Sequence, residues 1–264
     1  MLNWLRWLPE NVSTYGADVD AVIAIIWYTT LAWFFLTFAV LGAFLVLYRR
    51  RPGRRAAYVK GERLREAAWV LVPIVIVVVL DLWLDFRGAP VWARVKIDRP
   101  AAELTLQITG KQFNWEVLYA GPDGRFGTPD DRQFLDELHV PVNRTVRIVL
   151  KSKDVIHSFF LPNFRLKQDA IPGRDIEGWF EATKPGKYEL PCAELCGFGH
   201  SGMRGWIYVH TPADYQKWAA ENLQAAAAPA AEDKKADDTK AQEQKKDAAT
   251  PPLAAAKTGG KAKR

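Results

Sequence analysis

Two long apolar spans near the start of the sequence constrain this chain more than any other feature. Residues 21–48 carry no charged side chain, and residues 67–86 carry only Asp81 and Asp85. A helix rises about 1.5 Å per residue and a bilayer core is about 30 Å thick, so each span is long enough to cross the core. We therefore predict two transmembrane helices, at residues 19–48 and 67–86, that form a hairpin.

Each span has an alternative interpretation. A cleavable signal peptide fits the first span poorly, because this span starts about 20 residues in and is followed by arginines rather than by a cleavage site. A helix buried inside a soluble protein remains an alternative, above all for the second span with its two acids.

The positive charge of the chain is concentrated between the two spans. Residues 49–66 contain eight Lys or Arg against two Glu, which matches the net charge of +6 for the whole chain. Positive loops stay on the cytoplasmic side of a membrane. We therefore predict a cytoplasmic loop at residues 49–66 in a bacterial inner membrane, with residues 1–18 and the C-terminus on the periplasmic side. The location of the charge indicates membrane lipid, not nucleic acid, as the partner.

The rest of the chain divides into a β-rich region and a polar tail. Polar and apolar residues alternate at residues 103–109, and residues 145–150 are rich in residue types that favour β-strands. Gly and Pro recur between such segments at intervals typical of a sandwich or barrel. We predict one all-β domain at residues 87–222 that ends in a short helix from residue 212. Residues 223–264 have almost no large apolar side chain and are predicted to form a disordered tail.

The rare residue types cluster in one short segment. The chain has two Cys, four His and two Met, and residues 192–203 hold both cysteines, one histidine and the only methionine besides Met1. The spacing is Cys-x3-Cys-x3-His-x2-Met, and a further histidine, His157, lies upstream on a predicted strand. Thiolate, imidazole and thioether are soft ligands that favour copper.

A second cysteine distinguishes this set from that of a single blue-copper site, which uses two His, one Cys and one Met. Cys192 and Cys196 could bridge two copper ions, with Met203 and the carbonyl of Glu194 as weak ligands. A disulfide or a Cys2His2 zinc site is possible, but the disulfide leaves both histidines and Met203 unexplained and the zinc site does not need Met203.

The motifs at residues 154–158, 167–174 and 192–203 resemble those of subunit II of haem–copper cytochrome c oxidase, the type with a binuclear copper A centre. The resemblance extends over about residues 18–222 and implies a cupredoxin-like domain behind two membrane helices. It implies six copper ligands, with Glu194 acting through its backbone carbonyl: His157, Cys192, Glu194, Cys196, His200 and Met203.

This resemblance implies an electron-transfer subunit of an aa3-type-like oxidase. The subunit would take electrons from cytochrome c, or from a membrane-attached c-type cytochrome, and pass them to haem in subunit I. The complex, with subunit III, would reduce dioxygen to water and pump protons, although this chain would not hold the oxygen-reducing site. Two alternatives are a copper-binding membrane chaperone and the copper-less subunit II of a quinol oxidase.

The resemblance also assigns roles to residues near the ligands. The carboxylate of Glu194 would reach a magnesium ion shared with subunit I. Asp169 and Arg174 would face subunit I near its haem propionates. Phe113 stands where the family usually has the tryptophan that receives electrons, and Trp115 of the same aromatic cluster is retained.

Two assignments concern residues away from this centre. Glu66, just before the second span, matches the family acid at the entrance of a proton-uptake path, although it could equally be an interfacial Glu that faces water. The loop at residues 121–131 carries Asp123, Asp130 and Asp131, whose oxygens could bind calcium. The alternative for this loop is a solvated β-turn insertion.

Overall fold

The computed structural model describes residues 8–55 and 58–223 of the chain. Its N-terminal part consists of two long helices, α1 (Gly16–Leu47) and α2 (Leu64–Trp92). Both are long and apolar enough to cross a membrane, and the side chains of their apolar windows are exposed rather than buried in the protein. A soluble core helix would bury such side chains, so the exposed apolar surface indicates a lipid environment or other membrane helices.

Both helices extend past the apolar spans that mark them in the sequence. The helix α1 begins at Gly16 and so includes the polar Asp18 and Asp20, and α2 continues beyond Phe86 to Trp92 before a π-helical turn at Ala93–Ile97. Hydropathy marks only the part of a helix that lies in the bilayer, whereas backbone hydrogen bonds continue into the polar region.

The second part is an all-β domain of ten strands closed by one helix. The strands are β1 (Leu104–Lys111), β2 (Asn114–Tyr119), β3 (Arg132–Leu135), β4 (Glu137–Pro141), β5 (Thr145–Ser152), β6 (His157–Leu161), β7 (Leu166–Ala170), β8 (Ile176–Glu181), β9 (Gly186–Pro191) and β10 (Arg204–His210). The helix α3 (Pro212–Asn222) follows, and the hydroxyl of Thr211 caps it by accepting a hydrogen bond from the Asp214 amide.

Most of the strands form two sheets that enclose a common core. One sheet has the order β3-β2-β1-β5-β8, the other has the order β4-β10-β9, and β6 pairs with β7 as a separate ribbon. The pairs β1–β5 and β4–β10 are parallel, and the remaining pairs are antiparallel. Leu106 and Ile148 of the first sheet and Leu138 and Ile207 of the second are fully buried in one hydrophobic cluster. The predicted order of two apolar helices and a cupredoxin-like β domain is confirmed.

The segment before α1 packs onto the β domain, which the sequence did not predict. Val12 and Tyr15 are fully buried. The amide of Val12 donates to the Asn163 carbonyl at 2.9 Å, and its carbonyl accepts from the Thr183 amide at 2.8 Å. Within the predicted outer-face segment, residues 1–7 lie outside the described residues. The predicted disordered tail also lies outside them, except for Leu223.

Candidate metal centre

The candidate metal ligands come from one strand and one loop that the β domain brings together. His157 is the first residue of β6, and the loop that joins β9 to β10 carries the rest. The amide of Cys192 donates to the Met203 carbonyl at 3.0 Å, which closes this loop at its base. An isolated bridge between Phe159 and Cys192 then attaches the loop to β6.

Cys192 lies between an imidazole and a backbone carbonyl. Its Sγ lies 3.9 Å from His157 Nδ1, 3.3 Å from the Glu194 carbonyl oxygen and 3.9 Å from the Sγ of Cys196. Both cysteines are free thiols. In the described part of the chain, His157, Cys192 and Cys196 form the one group of three or more His, Cys, Asp or Glu side chains whose ligand atoms all lie within 4.8 Å of one another.

Cys196 has a different pair of neighbours. Its Sγ lies 3.6 Å from His200 Nδ1 and 3.7 Å from Met203 Sδ. Each thiol therefore has its own imidazole and its own weaker donor, a carbonyl for Cys192 and a thioether for Cys196. This arrangement matches the donor types that copper prefers and could hold two ions rather than one.

Most of the candidate ligands are buried. His157 is fully buried, and Cys192, Cys196 and Met203 are less than a tenth exposed. Burial, reinforced by the adjacent Cys192 thiol, raises the pKa of Cys196 to about 11. A catalytic cysteine nucleophile has a lowered pKa and an accessible thiolate. The burial of both thiols and the raised pKa of Cys196 argue against a role as a catalytic nucleophile.

Asp154 orients His157. One carboxylate oxygen, Oδ1, lies 2.8 Å from His157 Nε2, and the other accepts from the Gln112 amide at 2.7 Å. Partial burial raises the pKa of Asp154, but the hydrogen bonds from His157, Gln112 and Val155 outweigh it and lower the pKa overall. The carboxylate therefore accepts a hydrogen bond from Nε2–H, so that the lone pair of Nδ1 faces Cys192. This role of Asp154 was not predicted from the sequence, although its position three residues before His157 was a usable signal.

The sequence is similar to those of curated cytochrome c oxidase subunits. A family profile described as "Cytochrome C oxidase subunit II, periplasmic domain" matches residues 129–209. Cytochrome c oxidase subunit 2 of Thermostichus vulcanus is 31% identical in an alignment 272 residues long that covers 84% of this chain and 80% of the relative. The alternative cytochrome c oxidase subunit 2 of Bradyrhizobium diazoefficiens is 30% identical in an alignment 235 residues long that covers 80% of this chain and 82% of that relative.

The chain belongs to the cytochrome c oxidase subunit II family.

The chain is also similar in sequence to part of a solved structure. The periplasmic domain of subunit II of cytochrome oxidase of Bradyrhizobium japonicum is 35% identical, covers 49% of this chain and 100% of that chain, and has a TM-score of 0.44. Family membership makes the chain a subunit of an oxidoreductase. Together with the two apolar helices, it also makes the chain a membrane-anchored protein whose β domain corresponds to the family's periplasmic domain.

The two aromatic residues assigned to electron entry in this family both lie at the centre. Trp115 is fully buried and meets the His157 ring edge-on, with 5.9 Å between ring centroids. Phe113 is 38% exposed and lies over the cysteine loop. A Cβ at Gly199 would lie 2.5 Å from its ring, so the loop needs glycine there to accommodate Phe113.

The residues assigned to the subunit I interface are not in contact with the candidate ligand atoms in any hydrogen bond or ion pair of the described residues. Asp169 of β7 accepts a hydrogen bond at 2.7 Å from the Oγ of Ser158, the residue directly after the candidate ligand His157. Arg174 is exposed in the turn after β7, and Glu194 is exposed between the two cysteines. These positions leave the Arg174 and Glu194 side chains available to another molecule.

The remaining assigned residues lie elsewhere in the chain. Glu66 is in the first turn of α2, and its carboxylate accepts from the Gly61 amide at 3.0 Å. In the loop at residues 121–131, Asp131 accepts from the amides of Gly127 at 2.6 Å and Thr128 at 3.2 Å. The Asp131 carboxylate therefore stabilises the turn through these two hydrogen bonds. Calcium binding by this loop stays a prediction.

Proposed function

We propose that this chain is the electron-entry subunit of an aa3-type-like cytochrome c oxidase and that its β domain holds a binuclear copper A centre. The observation that supports the proposal most directly is the arrangement around the thiol pair. Two free buried thiols lie 3.9 Å apart, and each has its own imidazole and its own weak donor. With both ions bound, the centre would accept one electron from a c-type cytochrome and release it to haem in subunit I.

The six ligands would divide between the two ions according to which thiol each one contacts. His157 and the Glu194 carbonyl would serve one ion, His200 and Met203 the other, and the two cysteines would bridge them. The two thiolates would offset two of the positive charges, and His157, Cys192, Cys196 and Met203 are buried from solvent. Because two ions would share the transferred electron in a mostly buried site, geometry and hydration would change little, which suits rapid exchange better than substrate chemistry.

The alternatives explain fewer of these contacts. Zinc would not need the thioether of Met203, and a disulfide would leave both imidazoles without a role. A quinol oxidase subunit without copper would not need the intact ligand set, and the two-helix anchor fits a membrane copper chaperone poorly.

The proposal includes contacts with the rest of an oxidase complex. Electrons would enter through Phe113 or Trp115 and leave toward subunit I beside Asp169 and Arg174. The exposed carboxylate of Glu194 would bind a magnesium ion shared with subunit I. Dioxygen reduction and proton pumping would take place in subunit I, and subunit III would be a further partner in the complex.

We also propose the orientation of the chain and the role of Glu66. The arginine-rich loop at residues 49–66 would face the cytoplasm, and both termini would lie on the periplasmic side of the inner membrane. Glu66 would then lie at the cytoplasmic entrance of a proton path. Glu66 is in the first turn of α2, so in this orientation it would lie at the membrane surface, where such an entrance is required.

The test uses the full-length chain in detergent, loaded with copper. We expect two copper ions per chain by metal analysis and an electron paramagnetic resonance spectrum in which one unpaired electron is shared equally by two copper nuclei. The Cys196→Ser variant removes one bridging thiol and should lose the shared signal. A wild-type spectrum from one copper nucleus, or no copper at all, would contradict the proposal.

A further inference from the structure

Gln112 contacts both segments that supply the metal ligands. It lies in the turn between β1 and β2, and its side-chain Nε2 donates to the Cys196 carbonyl at 2.6 Å. Its backbone amide donates to Asp154 Oδ2 at 2.7 Å. One residue therefore joins the cysteine loop to the segment that precedes His157.

The contact with Asp154 extends to the imidazole. The other oxygen of this carboxylate, Oδ1, lies 2.8 Å from His157 Nε2 and also accepts from the Val155 amide at 2.7 Å. Gln112 thus helps to fix the carboxylate that directs His157 Nδ1 toward the thiols. Such indirect partners orient metal ligands and tune the bound metal.

The loop is shaped to admit the Gln112 side chain. Gly197, directly after Cys196, has a φ of +133°, which L side chains rarely adopt, and a Cβ there would lie 2.7 Å from Gln112 Nε2. Within the described residues, the Cys196 carbonyl accepts no other hydrogen bond. The orientation of the Cys196 peptide therefore depends on Gln112.

We propose that Gln112 is a positioning residue of the metal centre, which sets the Cys196 thiol relative to Cys192 and His157. This inference rests on the proposed copper centre. The side chain donates to the Cys196 carbonyl and not to a candidate ligand atom, so its effect would pass through the Cys196 peptide, whereas the backbone amide acts on Asp154. The role requires the amide as a donor and not merely a side chain of this size.

The experiment compares three variants of the full-length, copper-loaded chain in detergent. Gln112→Met keeps the length of the side chain but removes the donor. Gln112→Glu also keeps the length and places an acceptor against the Cys196 carbonyl. Gln133→Met makes the same chemical change at an exposed residue of β3 and serves as the control. The measurements are the rate of copper loss to a chelator, the copper hyperfine splitting, and the thermal midpoint of the metal-free protein.

We expect Gln112→Met to lose copper roughly 10-fold faster than wild type, with altered hyperfine splitting, and Gln112→Glu to lose it faster still. The thermal midpoint of the metal-free protein should not change, and Gln133→Met should match wild type.

Equal copper retention in Gln112→Met and wild type would overturn the inference but would not contradict the proposed copper centre. A drop in the metal-free midpoint that accounts for the copper loss would overturn it too, because the role would then be structural. A wild-type chain without copper would refute the proposed function and this inference together.

Discussion

At the scale of single residues, the loop that carries the cysteines depends on glycine as well as on the candidate ligands. Gly199 has an ordinary backbone φ of −86°, so its conformation does not demand glycine. A Cβ at this position would nevertheless lie 2.5 to 2.9 Å from three atoms of the Phe113 ring. The glycine is therefore needed for space, and it allows an aromatic ring to cover the cysteine loop.

Replacing Gly199 by alanine should displace Phe113. We expect the free energy of unfolding to fall by about 1–3 kcal/mol, the usual cost of overpacking, and electron uptake from a c-type cytochrome to slow. Gly202→Ala is the matched control in the same loop, because a Cβ there would have nothing within 4 Å. Chemical denaturation and stopped-flow reduction of the copper-loaded variants measure both effects. Equal stability of the two variants would show that the Phe113 ring moves aside at no cost.

At the scale of elements, two histidines outside the metal centre hold α3 against the sheet. His139 Nδ1 lies 2.9 Å from His210 Nε2, which joins β4 to β10. The His139 ring stacks on Trp218 of α3, with 4.3 Å between centroids and an interplanar angle of 8°. Burial, together with the neighbouring His210, lowers the pKa of His139 to about 4 against an opposing effect of Glu137. Burial also lowers the pKa of His210, which Asp214 partly offsets.

These lowered pKa values predict that the packing of α3 against the sheet becomes less stable at acidic pH. The folded state keeps both imidazoles neutral, whereas the unfolded state binds protons below the ordinary value of 6.5. The stabilisation is therefore complete above pH 6.5 and decreases as the pH falls from 6.5 toward 4. Amide hydrogen exchange, corrected for its intrinsic pH dependence, should show lower protection of α3 at pH 5 than at pH 7.

The control for this effect is His139→Phe, which keeps a flat ring against Trp218 but removes its titratable nitrogens. The loss of α3 protection between pH 7 and pH 5 should be much smaller in this variant, because only His210 still titrates. Protection that falls equally in the variant and in wild type would assign the pH dependence to other groups.

The elements also show what the sequence could predict. The apolar spans, the alternating strands and the cap of α3 are local patterns, and the Cys-x3-Cys-x3-His-x2-Met spacing places its residues on one loop whatever the surrounding fold. The roles of Gln112 and Asp154 could not be predicted in this way, because they depend on loops that are close only after β1, β6 and β9 have packed. The docking of Val12 and Tyr15 on the β domain is likewise a contact between segments far apart in sequence.

At the scale of the whole molecule, the β domain is tied to the start of α1. Arg165, after β6, pairs with both carboxylate oxygens of Asp20 at 2.6 and 3.1 Å, and its guanidinium also donates to the Pro9 carbonyl. The Arg165 side chain is almost fully buried. A bidentate pair of this kind restricts geometry as well as contributing energy, so it holds the domain against the N-terminal end of the helix.

This attachment means that the side of the membrane reached by α1 determines where the metal centre lies. The arginine-rich loop at residues 49–66 should hold the opposite ends of the helices in the cytoplasm. In a Cys192→Ser, Cys196→Ser background, Asp123→Cys should react with a membrane-impermeant maleimide in intact spheroplasts, whereas Arg51→Cys should react only after permeabilisation. Both positions are exposed to solvent, so a difference in labelling reports the side of the membrane and not burial. The reverse pattern would place the centre in the cytoplasm, where a periplasmic c-type cytochrome could not reach it.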